Sequence, residues 1–148
     1  MKPINEIKIT FPSMSVNEAF ARGAVTAFVA SLDPTLEEMV DIKTAVSEAV
    51  TNCVVHAYPD TVGQVYITAH IYEDRRIVIK VRDKGVGIPD LSQAMQAGYS
   101  TGGDDRAGMG FAVMQAFCSR VSVRSTSGKG TTVTLEKTIA KSRAVYHR

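Results

Sequence analysis

The sequence has 148 residues, of which 45% are hydrophobic and 22% are charged, and its formal net charge is +2. This size and composition are typical of one globular domain and exclude a disordered or fibrous protein. The small net charge gives no concentrated basic footprint of the kind that nucleic-acid binders carry. The N-terminus lacks an apolar signal core, and no apolar run is long enough to span a bilayer. We therefore expect a cytoplasmic protein that binds neither nucleic acid nor membrane.

Two elements are predicted in the first 34 residues. Residues 4–11 alternate apolar and polar side chains, which predicts a strand. Ser15 or Asn17 can cap a helix that runs to about residue 31. Four apolar residues at helical spacing form the predicted core face of this helix, namely Phe20, Ala24, Ala27 and Phe28.

A second helix is predicted to run to about residue 56. Thr35 followed by Glu38 fits a capping box at its start. Pro59 helps to end it, because the residue before a proline resists helical geometry. One broad arc of the helical wheel is apolar and is predicted to face the core; it holds Met39, Ile42, Val46, Ala49, Val50, Cys53 and Val54.

The remaining pattern predicts a sheet with one more helix. Two strands are joined by a tight turn at Asp74-Arg75, and a helix that opens on a glycine turn precedes two further strands. The predicted segments are residues 64–73, 76–82, 109–118, 121–124 and 131–136. Helices that precede and interrupt such strands predict a two-layer α/β sandwich with a mixed, largely antiparallel sheet, formed by residues 1–148 as a single domain.

Two other features receive structural interpretations. The basic segment from Lys137 to the end, which includes the tail at about residues 138–148, is predicted to be solvated rather than a binding patch. Cys53 and Cys118 lack CxxC spacing and lie in apolar stretches, so we predict two buried thiols in a reducing compartment.

A polar row lies opposite the core face of the second helix. Glu48, Asn52 and His56 are spaced i, i+4 and i+8. Such rows are common on solvated helices, but this one carries useful chemistry. A carboxylate can accept a proton from a hydroxyl nucleophile, and an amide oxygen one turn away can bind Mg²⁺. His56 fits equally well as a cap of the helix end.

Three glycine-containing loops complete the candidate site. Asp83-x-Gly85-x-Gly87 follows a strand, and its aspartate can accept a hydrogen bond from an exocyclic amine such as that of adenine. The motif resembles many ordinary turns, and it fits neither a Walker loop nor a Rossmann fingerprint.

The second and third loops lie later in the chain. Gly108-x-Gly110 opens a helix, whose free N–H groups favour phosphate, and Arg106 could contact the terminal phosphate. The alternative for these glycines is a plain hinge. The turn before Thr131 and Thr132 is a hairpin in any case, and it could also line a nucleotide site.

In this order and spacing the motifs resemble the ATP-binding boxes of the GHKL superfamily, which includes gyrase, histidine kinases and MutL. The match narrows to the bacterial anti-sigma factor serine kinases, and among them to the sporulation type. It is carried by residues 48–52, 81–90 and 108–111, and it extends through residues 17–22 and 28–34. The resemblance therefore spans nearly the whole chain.

The resemblance implies a role for each candidate residue. Glu48 would be the general base and Asn52 would hold Mg²⁺. The phosphate contacts would come from the glycine turn and the residue before it, namely Gly108, Gly110 and Arg106. The adenine side would be bound by Asp83 and its loop glycines Gly85 and Gly87, with Thr131 or Thr132 acting through water. Arg22 would lie on the partner-binding surface.

The resemblance also implies an activity and partners. Members of this family work as homodimers that hold a sigma factor inactive. They use Mg·ATP to phosphorylate a serine of an anti-anti-sigma factor, which otherwise displaces the sigma factor. Two departures stand out: Ala57 occupies a position where relatives often have glycine, and the predicted lid at residues 96–105 is rich in glycine and aspartate.

Two other functions fit part of the pattern. The chain could be a detached ATPase domain of a histidine kinase, but only some 35 residues precede the catalytic helix, and no histidine precedes His56. It could also bind ATP only as a ligand for folding or assembly. The acid at Glu48 argues against this, because a site that only holds nucleotide needs no base there.

Overall fold

The computed structural model describes residues 1–90 and 106–141, with the side chains of residues 106–109 outside that description. The strands are β1 (Asn5–Pro12), β2 (Gln64–Ile71), β3 (Arg76–Asp83), β4 (Arg120–Thr126) and β5 (Gly130–Thr138). The α-helices are α1 (Glu18–Val29), α2 (Leu36–Asn52) and α3 (Arg106–Phe117). A search of these residues finds no helix with the length and apolar character needed to cross a membrane.

The five strands form one sheet in the order β1-β2-β3-β5-β4. Every pairing between these described strands is antiparallel, so the predicted mixed character is absent from this part of the sheet. The β2–β3 turn forms where Asp74-Arg75 predicted it. Arg75 has a positive φ of 67°, and its N–H donates to the carbonyl oxygen of Tyr72 at 3.0 Å.

The helices pack on one face of the sheet, and the predicted α/β sandwich is confirmed. The predicted core face of α2 is largely confirmed, since five of its residues are almost fully buried and Met39 and Val54 are partly buried. The buried side chains that the inner face of the sheet contributes include Val65, Ile67, Ala69, Ile71, Ile77, Ile79, Val81, Val133 and Leu135. Phe111 and Met114 of α3 complete the core beside α2.

The predicted core face of α1 is wrong at Phe20 and Ala27, which are exposed, although Phe28 packs against the core. Phe20 is 58% exposed, whereas Ala21, Val25 and Val29 are completely buried. Both sets of residues recur at helical spacing, so the periodicity alone could not select between them. The predicted cap is also absent: the side chain of Asn17 accepts no N–H of α1 and its Nδ2 donates to the Pro12 carbonyl oxygen, while Ser15 lies in a 3-10 turn that precedes α1.

The capping box at the start of α2 is confirmed and also holds the segment that follows β5. The Glu38 N–H donates to Thr35 Oγ1 at 3.1 Å, and the Thr35 N–H donates to Glu38 Oε1 at 2.9 Å. The other oxygen, Oε2, accepts the N–H of Ala140 at 2.9 Å. Lys137 pairs with Asp41 at 3.2 Å, and Ile139 is 1% exposed. The prediction of a solvated segment is therefore wrong for Lys137 and Ile139.

Arg75 binds the segment that follows β5 to the rest of the fold. Its guanidinium donates to the carbonyl oxygens of Leu32, Ile139 and Ala140. We expect Arg75→Ala to lower the free energy of unfolding by about 2–4 kcal/mol, because several charge-assisted hydrogen bonds are lost together. Chemical denaturation measures this, with Arg120→Ala on the exposed edge strand as control. Equal stability of the two variants would contradict the prediction.

Candidate functional site

The end of α2 changes geometry next to the candidate site. Residues Cys53–Ala57 form one π-helical turn, and the Cys53 N–H is shared between the carbonyl oxygens of Ala49 and Val50. Cys53 and Ala57 are both buried, and the Ala57 carbonyl oxygen accepts the N–H of Val86 at 2.9 Å. Single π-turns often occur at functional sites. Here the turn joins the polar row of α2 to the loop after β3.

Glu48 and Asn52 converge on the first part of α3. A Cβ atom placed on Gly110 would lie 3.2 Å from Glu48 Oε1 and 3.5 Å from Asn52 Oδ1. The side-chain nitrogen of Asn52 is buried and has no hydrogen-bond partner within the described part of the chain. Because the two ends of an amide are interchangeable in shape, Asn52 can equally present its oxygen here. The space above Gly110 is thus bordered by the carboxylate of Glu48 and the amide of Asn52, and we call it the cradle above Gly110.

Asp83 forms the other end of the site. It is 7% exposed, and its Oδ1 accepts the N–H groups of Gly85 at 2.9 Å and Thr131 at 3.2 Å. Its Oδ2 accepts the thiol of Cys53 at 3.6 Å. Burial raises the pKa of the Asp83 carboxyl, against the opposite effect of these three hydrogen bonds. A carboxylate oxygen can accept two hydrogen bonds, so Oδ2 retains capacity for an exocyclic amine.

The glycines of the Asp83 loop are required by close backbone contacts. A Cβ atom on Gly85 would lie 2.0 Å from the carbonyl oxygen of Ala57. Gly87 has a positive φ of 78°, and a Cβ atom there would lie 2.5 Å from the carbonyl oxygen of Thr126. The loop itself is held by Val86, whose N–H binds the Ala57 carbonyl oxygen of the π-turn and whose carbonyl oxygen accepts the N–H of Gly128 in the β4–β5 hairpin.

A pocket that is partly open to solvent lies between the polar row of α2 and Asp83. The pocket is lined by Ala49, Asn52, Cys53, His56, Ala57, Asp83, Gly87, Ile88, Phe111, Thr131 and Val133. Thr132 borders a depression with Lys80 and Arg82 on the opposite face of the sheet. Of the two predicted threonines, only Thr131 therefore lines this pocket.

Seven predicted residues lie outside the pocket's described lining, namely Glu48, Gly85, Gly110, Thr132, Arg106, Gly108 and Arg22. Arg106 and Gly108 belong to the first turn of α3, where side-chain positions are outside the described part of the chain. The predicted lid at residues 96–105 also lies outside the described residues. Arg22 is half-buried on α1, and its Nη1 donates to Ser47 Oγ at 3.4 Å. It therefore lies beside the helix that carries Glu48.

Sequence reasoning missed two residues that hold the site's loops. Ser125 Oγ accepts the Ile88 N–H at 2.7 Å and bonds Thr131 Oγ1 at 2.8 Å. The Tyr58 hydroxyl donates to the Gln64 carbonyl oxygen and accepts the Lys84 N–H, both at 2.7 Å. Ser125 carries no sequence signal. Tyr58 is the residue before Pro59 and was predicted only to help end α2, although a tyrosine at such a boundary can anchor neighbouring strands through its hydroxyl.

The site suits a metal that arrives with phosphate. A search of the described residues finds no group of three or more His, Cys, Asp or Glu that could hold a metal ion. Mg²⁺ usually takes one or two protein oxygens and completes its shell with phosphates and water. The amide of Asn52, whose side-chain nitrogen has no partner within the described part of the chain, offers one such ligand beside the N-terminal part of α3. The residues present therefore fit Mg·ATP.

Gly110 provides a direct test of this cradle. Alanine favours an α-helix over glycine by about 1 kcal/mol, so Gly110→Ala should keep or slightly raise the melting temperature. Its new methyl group would occupy the space between Glu48 and Asn52, and we expect ATP affinity to fall at least about tenfold, as for other lost polar contacts. Calorimetric titration measures the affinity, and Gly23→Ala in the open part of α1 is the matched control. Unchanged affinity would contradict this assignment.

Solved structures share this fold. The RsbU and RsbW domains of Rv1364c from Mycobacterium tuberculosis match 95% of this chain with a TM-score of 0.69 and 21% identity, and the match covers 34% of that longer chain. The histidine kinase domain of a blue-light activated kinase from Erythrobacter litoralis matches 82% of this chain and 60% of its own, with a TM-score of 0.55 and 20% identity. At these identities the likeness concerns the fold alone.

Sequence comparison gives a narrower result. Residues 12–137 match the family described as the histidine kinase-like ATPase domain. An anti-sigma F factor from Caldanaerobacter subterraneus subsp. tengcongensis is 52% identical over 94% of this chain and 97% of its own length. An anti-sigma F factor from Bacillus licheniformis is 46% identical over 95% of this chain and 97% of its own length. The chain therefore belongs to the anti-sigma F factor family, within the histidine kinase-like ATPase domains of the GHKL superfamily.

Proposed function

We propose that this protein binds Mg·ATP, phosphorylates a serine of an anti-anti-sigma factor, and holds a sporulation sigma factor inactive. The observation that carries the proposal is a pocket lined both by Asn52, which lies beside Glu48 and Gly110, and by the carboxylate of Asp83. Glu48 and Asn52 border the cradle above Gly110, and a carboxylate oxygen of Asp83 remains able to accept a donor at the other end. This arrangement suits a ligand with an amine at one end and phosphates at the other.

The phosphate end would carry the chemistry. ATP supplies the phosphoryl group, and Mg²⁺ neutralises phosphate charge. The Asn52 amide oxygen would bind the metal, while Glu48 would accept the proton of the attacking serine hydroxyl. The free N–H groups in the first turn of α3, which include that of Gly108, would contact the phosphates, and Arg106 would meet the γ-phosphate. Because α3 begins at Arg106 and not at Met109 as predicted, Gly110 would contribute through its missing side chain and not through its N–H.

The base end would determine which nucleotide is bound. Asp83 Oδ2 would accept the adenine 6-amino group, and the hydroxyl of Thr131 would act nearby through water. Gly85 and Gly87 would shape the loop so that its backbone can approach the base. A carboxylate that accepts an amine rejects a base with an oxygen at that position, because two acceptors would then face each other.

The partners are proposed from the relatives. Proteins named anti-sigma F factor match almost their entire length with this chain, which supports a sigma factor as the bound partner in the cytoplasm. We propose a homodimer as the working form, with Arg22 on the partner-binding surface. The side chain of Arg22 contacts Ser47, the residue before Glu48 on α2. A partner bound at Arg22 would therefore lie close to the helix that carries the catalytic base.

A phosphorylation assay tests the proposal. The purified protein is incubated with Mg·ATP and a purified anti-anti-sigma factor, and the phosphorylated residue is identified by mass spectrometry. We expect phosphoserine on the partner, dependent on Mg²⁺. Acid-labile phosphohistidine would instead indicate a histidine kinase, and ATP binding without transfer would indicate a pure binding module. Co-purification of a sigma factor in the presence of ATP tests the anti-sigma part.

A further inference from the structure

Cys53 is a buried thiol for which the proposed mechanism has no role. Its side chain is 3% exposed, and it lines the pocket between Asn52 and Asp83. Its Sγ donates to Asp83 Oδ2 at 3.6 Å. This is the same oxygen that would accept the amine of the base. The thiol therefore contacts the recognition group directly, although the sequence predicted only a core residue.

The hydrogen bonds to Asp83 come from separate elements and fix different parts of the carboxylate. The N–H groups of Gly85 and Thr131 both bind Oδ1, which anchors one oxygen to the end of β3 and the start of β5. Anchoring a single oxygen still leaves the plane of a carboxylate free to turn. The contact from Cys53, on the π-turn, is the one that restrains Oδ2 within the described structure.

The thiol is suited to this role by its weakness as a donor. Because a thiol is a weak donor and Oδ2 has two lone pairs, the second lone pair remains available to a ligand.

We propose that Cys53 is a positioning residue for base recognition, whose thiol orients Asp83 Oδ2 toward the 6-amino group of an adenine nucleotide. It would thereby set the preference for 6-aminopurines over purines that lack this group. The inference rests on the proposed ATP binding and extends it to a residue outside the four sequence motifs.

Two ligands that differ only at carbon 6 show whether Cys53 orients Asp83 or only packs against its neighbours. Affinity is measured calorimetrically for ATP and for purine riboside 5′-triphosphate, which carries hydrogen at carbon 6, with wild type, Cys53→Ala and Cys53→Ser. Cys118→Ala is the control, since Cys118 lies in a separate niche with Ile42 and Leu135. We expect Cys53→Ala to weaken ATP binding about 3- to 10-fold, as for one weak hydrogen bond, and to change binding of the analogue less than about twofold. Cys53→Ser keeps a donor and should stay within about twofold of wild type for both ligands.

Each of the other outcomes contradicts either the proposed function or the role of Cys53. If wild type binds the two ligands equally, the Asp83–amine contact of the proposed function is wrong, and the inference falls with it. If wild type prefers ATP but Cys53→Ala weakens both ligands equally, the thiol only packs, and the inference alone is overturned. If Cys53→Ala fails to fold, Cys53→Ser decides, because a loss of ATP preference in that variant contradicts orientation by a donor.

Discussion

Replacing Glu48 with glutamine should lower the rate of phosphoryl transfer to the partner serine by about 100- to 10,000-fold, the usual contribution of a general base. Glutamine has nearly the same shape but cannot accept the serine proton. The carboxylate borders the cradle above Gly110, where Glu48 Oε1 lies 3.2 Å from the position of an added Cβ atom. Single-turnover transfer with saturating Mg·ATP measures the effect on the chemical step.

The same variant should still bind ATP within a few-fold of wild type, because Asn52 and Asp83 are untouched. Glu37→Gln is the matched control, since Glu37 is exposed in the first turn of the same helix. It should transfer phosphate normally. Normal transfer by Glu48→Gln would show that another group accepts the proton, whereas loss of ATP binding would show that Glu48 holds the nucleotide.

Replacing Asp83 with asparagine should weaken ATP binding by about 10- to 150-fold, the value of one hydrogen bond to a charged group. The asparagine oxygen can still accept the N–H groups of Gly85 and Thr131. Its nitrogen would then take the place of Oδ2 and present N–H groups to the N–H groups of the adenine amine. Calorimetric titration with ATP measures the loss, and unchanged affinity would show that the base binds elsewhere.

Although the same variant should bind ATP more weakly, it should be more stable than wild type in the absence of nucleotide. The pKa of Asp83 is raised in the folded protein, chiefly by burial. The folded state thus binds more protons than the unfolded state between the unfolded and folded pKa values, and wild type loses stability as pH rises through that window. Without nucleotide, Asp83→Asn should melt above wild type at neutral pH, and this difference should shrink on acidification. A lower melting temperature at neutral pH would contradict the cost assigned to the buried charge.

The fold was predictable where two local signals agreed. The alternation in β2 and β3, the turn at Arg75 and the capping box of Thr35 with Glu38 all occur as the sequence predicts. The core face of α1 was not predictable, because Phe20 and Ala21 both begin rows of small or apolar residues at helical spacing. Only packing against α2 and the sheet determines that Ala21 is buried and Phe20 is exposed.

The site was predictable as a set of motifs but not as a network. The spacing of Glu48 and Asn52 places them on one helix face, and strand alternation decides that Thr131, and not Thr132, lines the pocket. The contact between Cys53 and Asp83 joins residues 30 positions apart. It depends on a π-turn for which the sequence carries no recognised signal. Long-range contacts between small side chains of this kind lie beyond what periodicity can predict.

The double use of the Glu38 carboxylate has a consequence for how α2 opens. One oxygen binds the amide of Thr35 at the start of the helix and the other binds the amide of Ala140. Release of the segment after β5 and fraying of the first helical turn should therefore be coupled. Amide hydrogen exchange should show common opening at Thr35 and Ala140. Asn52 lies at the other end of α2, about 25 Å away at 1.5 Å per residue. Hydrogen exchange at the start of α2 would then report on release of the segment after β5, and exchange at the end of α2 would report on nucleotide binding.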